Sequence, residues 1–252
     1  MTQLDRIISL LDKAFINLCN VYKNQGNNNE GKIVVPYYCD GQNNTQNLRL
    51  SEQEMRLFFI EQLLNDNSDE LKGCSFCIEV PTKRRYTLGA IKKEIDSINK
   101  DTTKSKEEKE TDIKKLKNDK YGIDETNGRS AEIDLVIFKD KDTNKENNRL
   151  CLIEFKAANP DPYDCGKDFA KMKYEEDGDY RLFIDVFETT SDGTLNNLKE
   201  KLSNNTYWNL DKRTTFIGYS ITHKPKGSQA ITCFKFIMEV KDGKLVKNEF
   251  II

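Results

Sequence analysis

The 252-residue chain has little of several features that usually disclose a function. It contains one histidine, His223, and no excess of either charge, since 40 lysines and arginines face 42 aspartates and glutamates. A net charge of -2 is not typical of a protein that binds nucleic acid through bulk charge, so such binding would need a local basic face. The aromatic motif of common RNA-binding domains is also missing, although that leaves an RNA substrate open.

Long apolar runs are absent as well. No stretch approaches the roughly 18 apolar residues of a membrane span. The first ten residues carry Asp5 inside their apolar part and show no cleavage site, which does not fit a signal peptide. We therefore expect a reduced, cytoplasmic protein with no membrane partner. With 33% charged and 37% apolar residues, the chain is predicted to form one domain over 1–252 with a large surface.

The seven cysteines form an odd set. Cys74 and Cys77 have the C-x-x-C spacing of a zinc knuckle or a redox pair. A second such pair is missing, and His223 does not belong to a ligand-like pair. We therefore favour buried cysteines on a strand, because free cysteine is usually a core residue.

Apolar periodicity predicts an α/β fold in three parts. Residues 1–50 form an N-terminal helix (Leu4–Tyr22) and a linker with loops at 24–31 and 40–47 and a short strand at Ile33–Tyr38. Residues 51–190 form the core, which begins with a helix opened by a Ser51–Glu54 capping box. The other core elements are strands at Cys74–Val80, Glu132–Phe138 and Leu150–Ala157, a helix over 164–176, and a strand at Arg181–Glu188. Residues 191–252 add a helix at Thr194–Leu202 and strands at Thr214–Ile221, Ala230–Val240 and Lys244–Ile251, with a turn at Asp242-Gly243.

This order of elements implies a mixed sheet with helices packed on its faces. Residues 88–120 interrupt it with a segment rich in lysine and glutamate. Their apolar residues are spaced as in a charged helical hairpin that turns near Asp101–Ser105, and we interpret the hairpin as an insertion. It is either a solvated structural arm or an arm that binds a protein partner or DNA.

The tripeptide Glu-x-Lys occurs five times and means little by itself. The copies are Glu30/Lys32, Glu70/Lys72, Glu107/Lys109, Glu154/Lys156 and Glu239/Lys241. Only the last two lie in predicted strands, and only Glu154/Lys156 has an acidic residue, Asp134, on the strand before it. Context therefore selects Glu154 and Lys156.

Burial makes this copy unusual. Glu154 and Lys156 lie within an apolar strand, and the period of two places them on one face, which Asp134 can reach. Buried charges cost several kcal/mol per ion unless they are paired or bind a cation. A structural Glu–Lys pair is the plain alternative. With Asp134 added the local charge is negative, a conflict that Mg²⁺ would remove because it prefers carboxylate oxygens.

Asp134 and Glu154-Phe155-Lys156, with a helix before and a helix after, resemble the active site of the PD-(D/E)XK nuclease superfamily. The resemblance covers about residues 50–190, and it implies a restriction endonuclease-like core of helix, three strands, helix and strand. Ile133 stands at the family's nominal proline, a departure that many members share. The implied activity is that of a metal-dependent deoxyribonuclease in restriction, defence or repair, acting on DNA with Mg²⁺, for which Mn²⁺ is expected to substitute.

The resemblance also implies roles for individual residues. Asp134, Glu154 and the Phe155 carbonyl would hold the metal, and Lys156, with a pKa lowered by the metal, would deprotonate or orient the attacking water and stabilise charge on the phosphate. A glutamate from the preceding helix would join them. Glu54 is favoured, Glu61 is the reserve, and completion of the capping box is the alternative for Glu54. Glu132 would border the site or form a salt bridge.

Basic residues near these positions are candidates for DNA contact. Lys83, Arg84 and Arg85 follow the first core strand, and a solvent-exposed turn is the alternative. The helix over 164–176 offers Asp168, Lys171 and Lys173, of which Lys171 is favoured to steady the phosphate or Lys156. Cutting both strands with one site per chain would require a homodimer. A non-catalytic module that binds nucleic acid or protein, with 88–120 as its surface, is the other function that the sequence leaves open.

Overall fold

Helices and strands alternate along most of the chain in the computed structural model, which describes residues 1–24, 37–39, 46–48, 52–119, 122–126, 128–143, 145–157, 162–188, 214–223, 231–241 and 244–251. The helices are α1 (Gln3–Asn24), α2 (Glu52–Leu64), α3 (Leu88–Lys100), α4 (Lys106–Asp119) and α5 (Pro162–Tyr174). The strands are β1 (Tyr37–Cys39), β2 (Gln46–Leu48), β3 (Ser75–Tyr86), β4 (Arg129–Phe138), β5 (Arg149–Ala157), β6 (Tyr180–Glu188), β7 (Thr214–His223), β8 (Ile231–Lys241) and β9 (Lys244–Ile251). The predicted α/β class and the core order of helix, three strands, helix and strand are confirmed.

Seven of the strands form one mixed sheet in the order β3-β4-β5-β6-β7-β8-β9. The β5–β6 and β6–β7 pairs are parallel, and the other pairs are antiparallel. The parallel connection from β5 to β6 runs through α5, which is the crossover that parallel neighbours require. The short β1–β2 hairpin forms a separate sheet.

One face of the sheet packs against α1 and α2. In α1 the buried residues recur every three or four positions, so one stripe faces the core. These residues join Met55, Phe58 and Phe59 of α2 and inward-facing residues of β4 to β7 in a single apolar cluster. The N-terminal helix therefore belongs to the same core as the segment 51–190. On the opposite face Met172 of α5 packs against Val136 and Leu152.

The charged helical hairpin is confirmed as α3 and α4, joined by a short connection at 101–105. Ser105 and Glu108 form a capping box at the start of α4, with the Glu108 amide donating to Ser105 Oγ at 3.2 Å and the Ser105 amide to Glu108 Oε2 at 2.8 Å. Within the described residues, every helix is too short or too polar to serve as a transmembrane span.

The end of the first core strand was predicted wrongly. β3 does not stop at Val80 but continues through Pro81 to Tyr86. β3 is an edge strand. An edge strand tolerates proline because the N–H that proline lacks can belong to the open side, where no ladder hydrogen bond is formed. The register with β4 shifts between Pro81 and Arg85, which marks a bulge. The basic triplet Lys83-Arg84-Arg85 is thus part of the strand.

Other boundaries also differ from the prediction. Residues 46 and 47, assigned to a loop, belong to β2. Cys74 is only partly buried and Cys77 is exposed, because the strand that follows Cys74 lies at the edge of the sheet; burial holds for Cys19 and Cys151, and all four are free thiols. Several predictions lie outside the described residues: the strand at 33–36, the loops at 25–31 and 40–45, Ser51, the helix at 194–202 and the turn at 242–243.

The strands β4 and β5 separate where the candidate site begins. Their pairing runs from Phe138 with Arg149 to Leu135 with Ile153 and stops there. Beyond that point β5 stays paired with β6 through Ala157, while β4 stays paired with β3 through Arg129. A gap therefore opens between two strands of an otherwise continuous sheet.

Candidate active site

A cleft of about 720 Å³ occupies the gap between β4 and β5. Its walls come from the start of α2, the bulged part of β3, the diverging ends of β4 and β5, and α5. It is lined by Glu52, Gln53, Arg56, Glu79, Pro81, Arg129, Ser130, Ala131, Glu132, Asp134, Glu154, Lys156, Asp168 and Lys171. Six carboxylates and four cationic groups are among them, which leaves a formal excess of two negative charges when all are ionised. The structure thus brings Asp134, Glu154 and Lys156 into one cleft.

Asp134 fastens the two strands where their ladder ends. Its Oδ2 accepts the Phe155 backbone N–H at 2.8 Å. That amide lies just beyond the last β4–β5 pair, so the carboxylate replaces a ladder bond that the separated strands cannot form. Asp134 Oδ1 lies 3.8 Å from Arg56, beyond hydrogen-bond distance. The carboxylate is therefore held by one oxygen and presents the other to the cleft wall.

Glu154 is buried and shares the ammonium of Lys171 with another acid, Asp168. Its Oε1 lies 2.5 Å from Lys171 Nζ, while the same ammonium contacts Asp168 Oδ1 at 2.7 Å and donates to the Glu132 carbonyl at 2.6 Å. Burial, together with the Asp168 and Asp134 carboxylates, raises the pKa of Glu154 well above its usual value despite Lys171. The site therefore holds more negative charge than its own lysines neutralise.

The expected role of Lys171 in DNA contact does not fit this geometry. The side chain is buried, and its ammonium forms ion pairs with Glu154 and Asp168 and donates a hydrogen bond to the Glu132 carbonyl. Its charge is thus already paired within the protein and is not free for a phosphate. Lys173, the other lysine of the helix end, is exposed, lies over the Tyr174 ring at 5.0 Å, and does not line the cleft.

Lys156 points to the cleft and is held by an acid that the prediction did not assign to it. Its Nζ lies 2.8 Å from Asp168 Oδ2. Burial alone would lower the pKa of Lys156, but the carboxylates of Asp168, Glu52 and Glu154 together outweigh burial, and the pKa is raised above its usual value. These carboxylates favour the ammonium form. The lowered pKa expected beside a bound metal stays a prediction.

The helix carboxylate at the cleft is Glu52, not Glu54 or Glu61. Glu52 lines the cleft, and burial raises its pKa, with Asp134 and Asp168 adding to the shift. Glu54 lies about 200° further around the helix and is not among the lining residues; its Oε2 is buried without a hydrogen-bond partner in the described part of the chain. Glu61 is exposed and also does not line the cleft.

The basic triplet lies away from the cleft and is largely engaged within the chain. Lys83 pairs with Asp177 at 2.7 Å and Arg84 with Glu125 at 2.7 Å, and Arg85, although exposed, does not line the cleft. These three predicted DNA-contact residues therefore do not line the cleft, in contrast to Lys171. Glu132 does border the cleft as predicted, but it contacts Lys171 through its carbonyl.

Two arginines that the sequence reasoning missed line the cleft instead. Arg56 lies between two acids, 3.6 Å from Glu79 and 3.8 Å from Asp134, and donates to Gln53. Glu79 has a positive φ of 52°, an unusual backbone for this residue type, opposite the point where Asp134 lies. Arg129 is exposed at the rim. The sequence signal that could have indicated Arg56 as a cleft residue is its spacing, four residues after Glu52 on the same helix.

The cleft offers oxygen ligands to a cation. Within the described ranges, no three histidine, cysteine, aspartate or glutamate side chains are grouped closely enough to hold a metal ion by themselves. Mg²⁺, however, is commonly bound through one or two carboxylates, with waters and substrate phosphates completing its shell. Asp134 and Glu154 match that smaller requirement, and the charge of Asp134 contributes to the raised pKa of Glu154.

Known proteins offer no guide to this cleft. Comparisons of the chain with protein-family models, with curated proteins and with solved structures returned no match. What can be concluded about function therefore depends on the residues of the cleft.

Proposed function

We propose that the protein is a metal-dependent nuclease that hydrolyses phosphodiester bonds of DNA, on a restriction endonuclease-like core. The observation that carries the proposal is the convergence of Asp134, Glu154 and Lys156 in one cleft at the point where β4 and β5 separate. The pattern of strands and charges in the sequence singles out the same three residues. Their meeting supports the resemblance to the PD-(D/E)XK superfamily.

The charge of the cleft supports a divalent cation as cofactor. The excess of two negative charges, in a site where the pKa of Glu154 and the pKa of Glu52 are both raised, is what one Mg²⁺ would neutralise. Asp134 and Glu154 would hold it, with the Phe155 carbonyl as predicted and with Glu52 in place of Glu54 as the helix carboxylate. When bound, such an ion polarises the scissile phosphate and lowers the pKa of a coordinated water.

The protein's own groups would act on the phosphate. Lys156 reaches the cleft as an ammonium, so it can stabilise the negative charge that builds on the phosphate oxygens during hydrolysis. A role of Lys156 as the base that removes a proton from water would require the lower pKa that a bound metal gives it, and it stays a prediction. Arg129 at the rim and Arg56 in the wall are the cations of the lining besides Lys156 and the buried Lys171, and we assign them to contact with the DNA backbone.

Purified full-length protein incubated with supercoiled plasmid, linear duplex, single-stranded DNA and RNA tests the proposal. We expect cutting of at least one DNA form with Mg²⁺ or Mn²⁺ and none with EDTA. Lys156→Ala should reduce it to a small residual rate. Lys241→Ala, which changes the lysine of the other strand-borne Glu-x-Lys, is the matched control and should cut normally. No cutting of any DNA form, or equal cutting by Lys156→Ala, contradicts the proposal, and binding without cutting favours a non-catalytic module.

A further inference from the structure

Asp168 of α5 links the two lysines of the cleft. Its side chain is buried, with Oδ2 at 2.8 Å from Lys156 Nζ and Oδ1 at 2.7 Å from Lys171 Nζ. Asp168 and Lys171 are three residues apart and therefore lie on one face of the helix. Both face the β5 residues Glu154 and Lys156.

The four side chains form a row of alternating charge: Lys156, Asp168, Lys171 and Glu154. Lys171 is fixed because it forms ion pairs with both Glu154 and Asp168 and donates a hydrogen bond to the Glu132 carbonyl. One oxygen of Asp168 is thereby anchored on a rigid partner, and the other is left to hold Lys156. Of the four, only Lys156, at one end of the row, reaches solvent, since its side chain is 19% exposed and the other three are at most 3% exposed.

A role in stability alone does not explain why Asp168 pairs with the partly exposed Lys156. A buried acid that serves stability alone is best satisfied by several donors in the interior, whereas Asp168 directs one oxygen to an ammonium on the cleft wall. A free lysine side chain loses rotamer entropy when it is fixed in one position, which is a cost in free energy. Holding the ammonium in place beforehand removes that cost from the step in which Lys156 must meet a phosphate.

We propose that Asp168 is a positioning residue, which fixes the Lys156 ammonium where it meets the scissile phosphate. The inference rests on the proposed nuclease function for its catalytic consequence. Its structural content, that Asp168 immobilises Lys156, does not depend on that function. Asp168 itself does not contact the reacting atoms.

Asp168→Asn and Asp177→Asn form the matched pair of variants. Asp177 is also a nearly buried aspartate between two cations, Lys83 at 2.7 Å and Arg149 at 3.4 Å, but it does not line the cleft. We expect Asp168→Asn to lower kcat by roughly 10- to 100-fold, as loss of a supporting partner commonly does, with KM for DNA little changed. Asp177→Asn should leave kcat unchanged at a temperature where both variants are folded.

Two further variants guard against an effect of instability alone. Asp168→Glu keeps the charge and should recover part of the lost kcat. In the double variant Lys156→Ala/Asp168→Asn, the second change should have no further effect, because Asp168 acts through Lys156. Additive losses, or no recovery by glutamate in a folded protein, would overturn the proposal.

A readout without DNA separates this inference from the proposed function. The ¹⁵N relaxation order parameter of Lys156 Nζ measures how far the ammonium is immobilised. It should be high in the wild-type protein and in Asp177→Asn, and low in Asp168→Asn. An unchanged order parameter in Asp168→Asn overturns the inference even if the protein is an active nuclease. If the wild-type protein cuts no DNA, the proposed function fails, and the order parameter alone decides whether Asp168 positions Lys156.

Discussion

Two buried carboxylates, Glu154 and Glu175, have opposite surroundings. Glu154 lies in β5, ahead of α5, and Glu175 directly follows α5. Glu175 accepts from the backbone amides of Lys83 and Arg84, the Tyr86 hydroxyl and the Arg149 guanidinium, at 2.9–3.1 Å. Glu154 has one lysine, which it shares with Asp168. Donors are plentiful at the first acid and scarce at the second.

This difference in donors distinguishes a carboxylate that anchors the fold, Glu175, from a carboxylate of the candidate site, Glu154. The contacts of Glu175 fasten the bulged part of β3 and the start of β5 to the end of α5. A second arginine, Arg181 of β6, donates to the Glu175 backbone carbonyl at 2.6 Å. Such a network is complete without a ligand. Around Glu154 the carboxylates outnumber the cations, so the cleft can still gain by binding one. Buried charge of the same type thus stabilises the fold in one place and is available for chemistry in the other.

The largest expected effect tests that division directly. Glu154→Gln should lower the rate of Mg²⁺-dependent DNA cleavage by about 10³-fold, because it removes a charged group that acts on the transition state through the metal. Glu175→Gln should leave the rate near that of the wild-type protein. Single-turnover rates of DNA cleavage, measured at a temperature where both variants are folded, test this expectation. Similar losses in the two variants would remove the distinction.

Stability should respond in the reverse order. Glu175→Ala leaves the buried Arg149 and two strand amides without their acceptor, and breaking a buried pair in this way costs about 3–5 kcal/mol. Glu154→Ala should cost less, since Lys171 keeps Asp168. Urea unfolding gives both free energies. A larger loss in Glu154→Ala than in Glu175→Ala contradicts the assignment of Glu175 as the anchor.

Divalent cations should stabilise only the folded cleft. At a Mg²⁺ concentration one hundred times Kd, binding to the native state alone adds about 2.7 kcal/mol to the free energy of unfolding. Glu175→Gln should retain this gain, and Glu154→Gln and Asp134→Asn should lose most of it. Thermal unfolding with and without Mg²⁺ makes the measurement, and equal gains in all variants would indicate binding elsewhere.

The smallest expected effect is a dependence of stability on pH in the absence of divalent cations. The folded-state pKa of Glu154 is raised above its unfolded value, so its contribution to stability is fully present below about pH 4.3 and is lost as the pH rises through the folded-state pKa. Each unit between the two values corresponds to about 1.4 kcal/mol. Glu154→Gln should show a smaller fall in unfolding free energy over this range. An identical pH dependence of both proteins speaks against the shift.

Much of the fold could be predicted because the relevant patterns are local. The period of α1, the apolar runs of β4 and β5 and the charged hairpin of α3 and α4 each depend on neighbours within a few residues. The end of β3 could not be predicted in this way. A strand can continue through Pro81 only because β3 lies at the edge of the sheet, and the sequence does not show that position. The same strand exposes Cys77, whose apolar neighbours had suggested burial.

The candidate site was predicted to a similar degree. Asp134, Glu154 and Lys156 follow from strand periodicity and from the order of the strands, and the structure places them in one cleft. The helix carboxylate was missed because a two-residue difference on a helix turns the side chain by about 200°. Whether Glu52 or Glu54 faces the cleft depends on how α2 packs through Met55, Phe58 and Phe59.

The sequence by itself determined most of the helices and strands and selected the strand residues that meet in the cleft. Only the tertiary structure decided how each charge is paired: Lys83 and Arg84 with acids of distant loops, Lys171 with Glu154, and Lys156 with Asp168. The physical reason is range. Periodicity is a property of adjacent turns and pleats, whereas an ion pair depends on which side chains the completed fold brings within about 4 Å of each other.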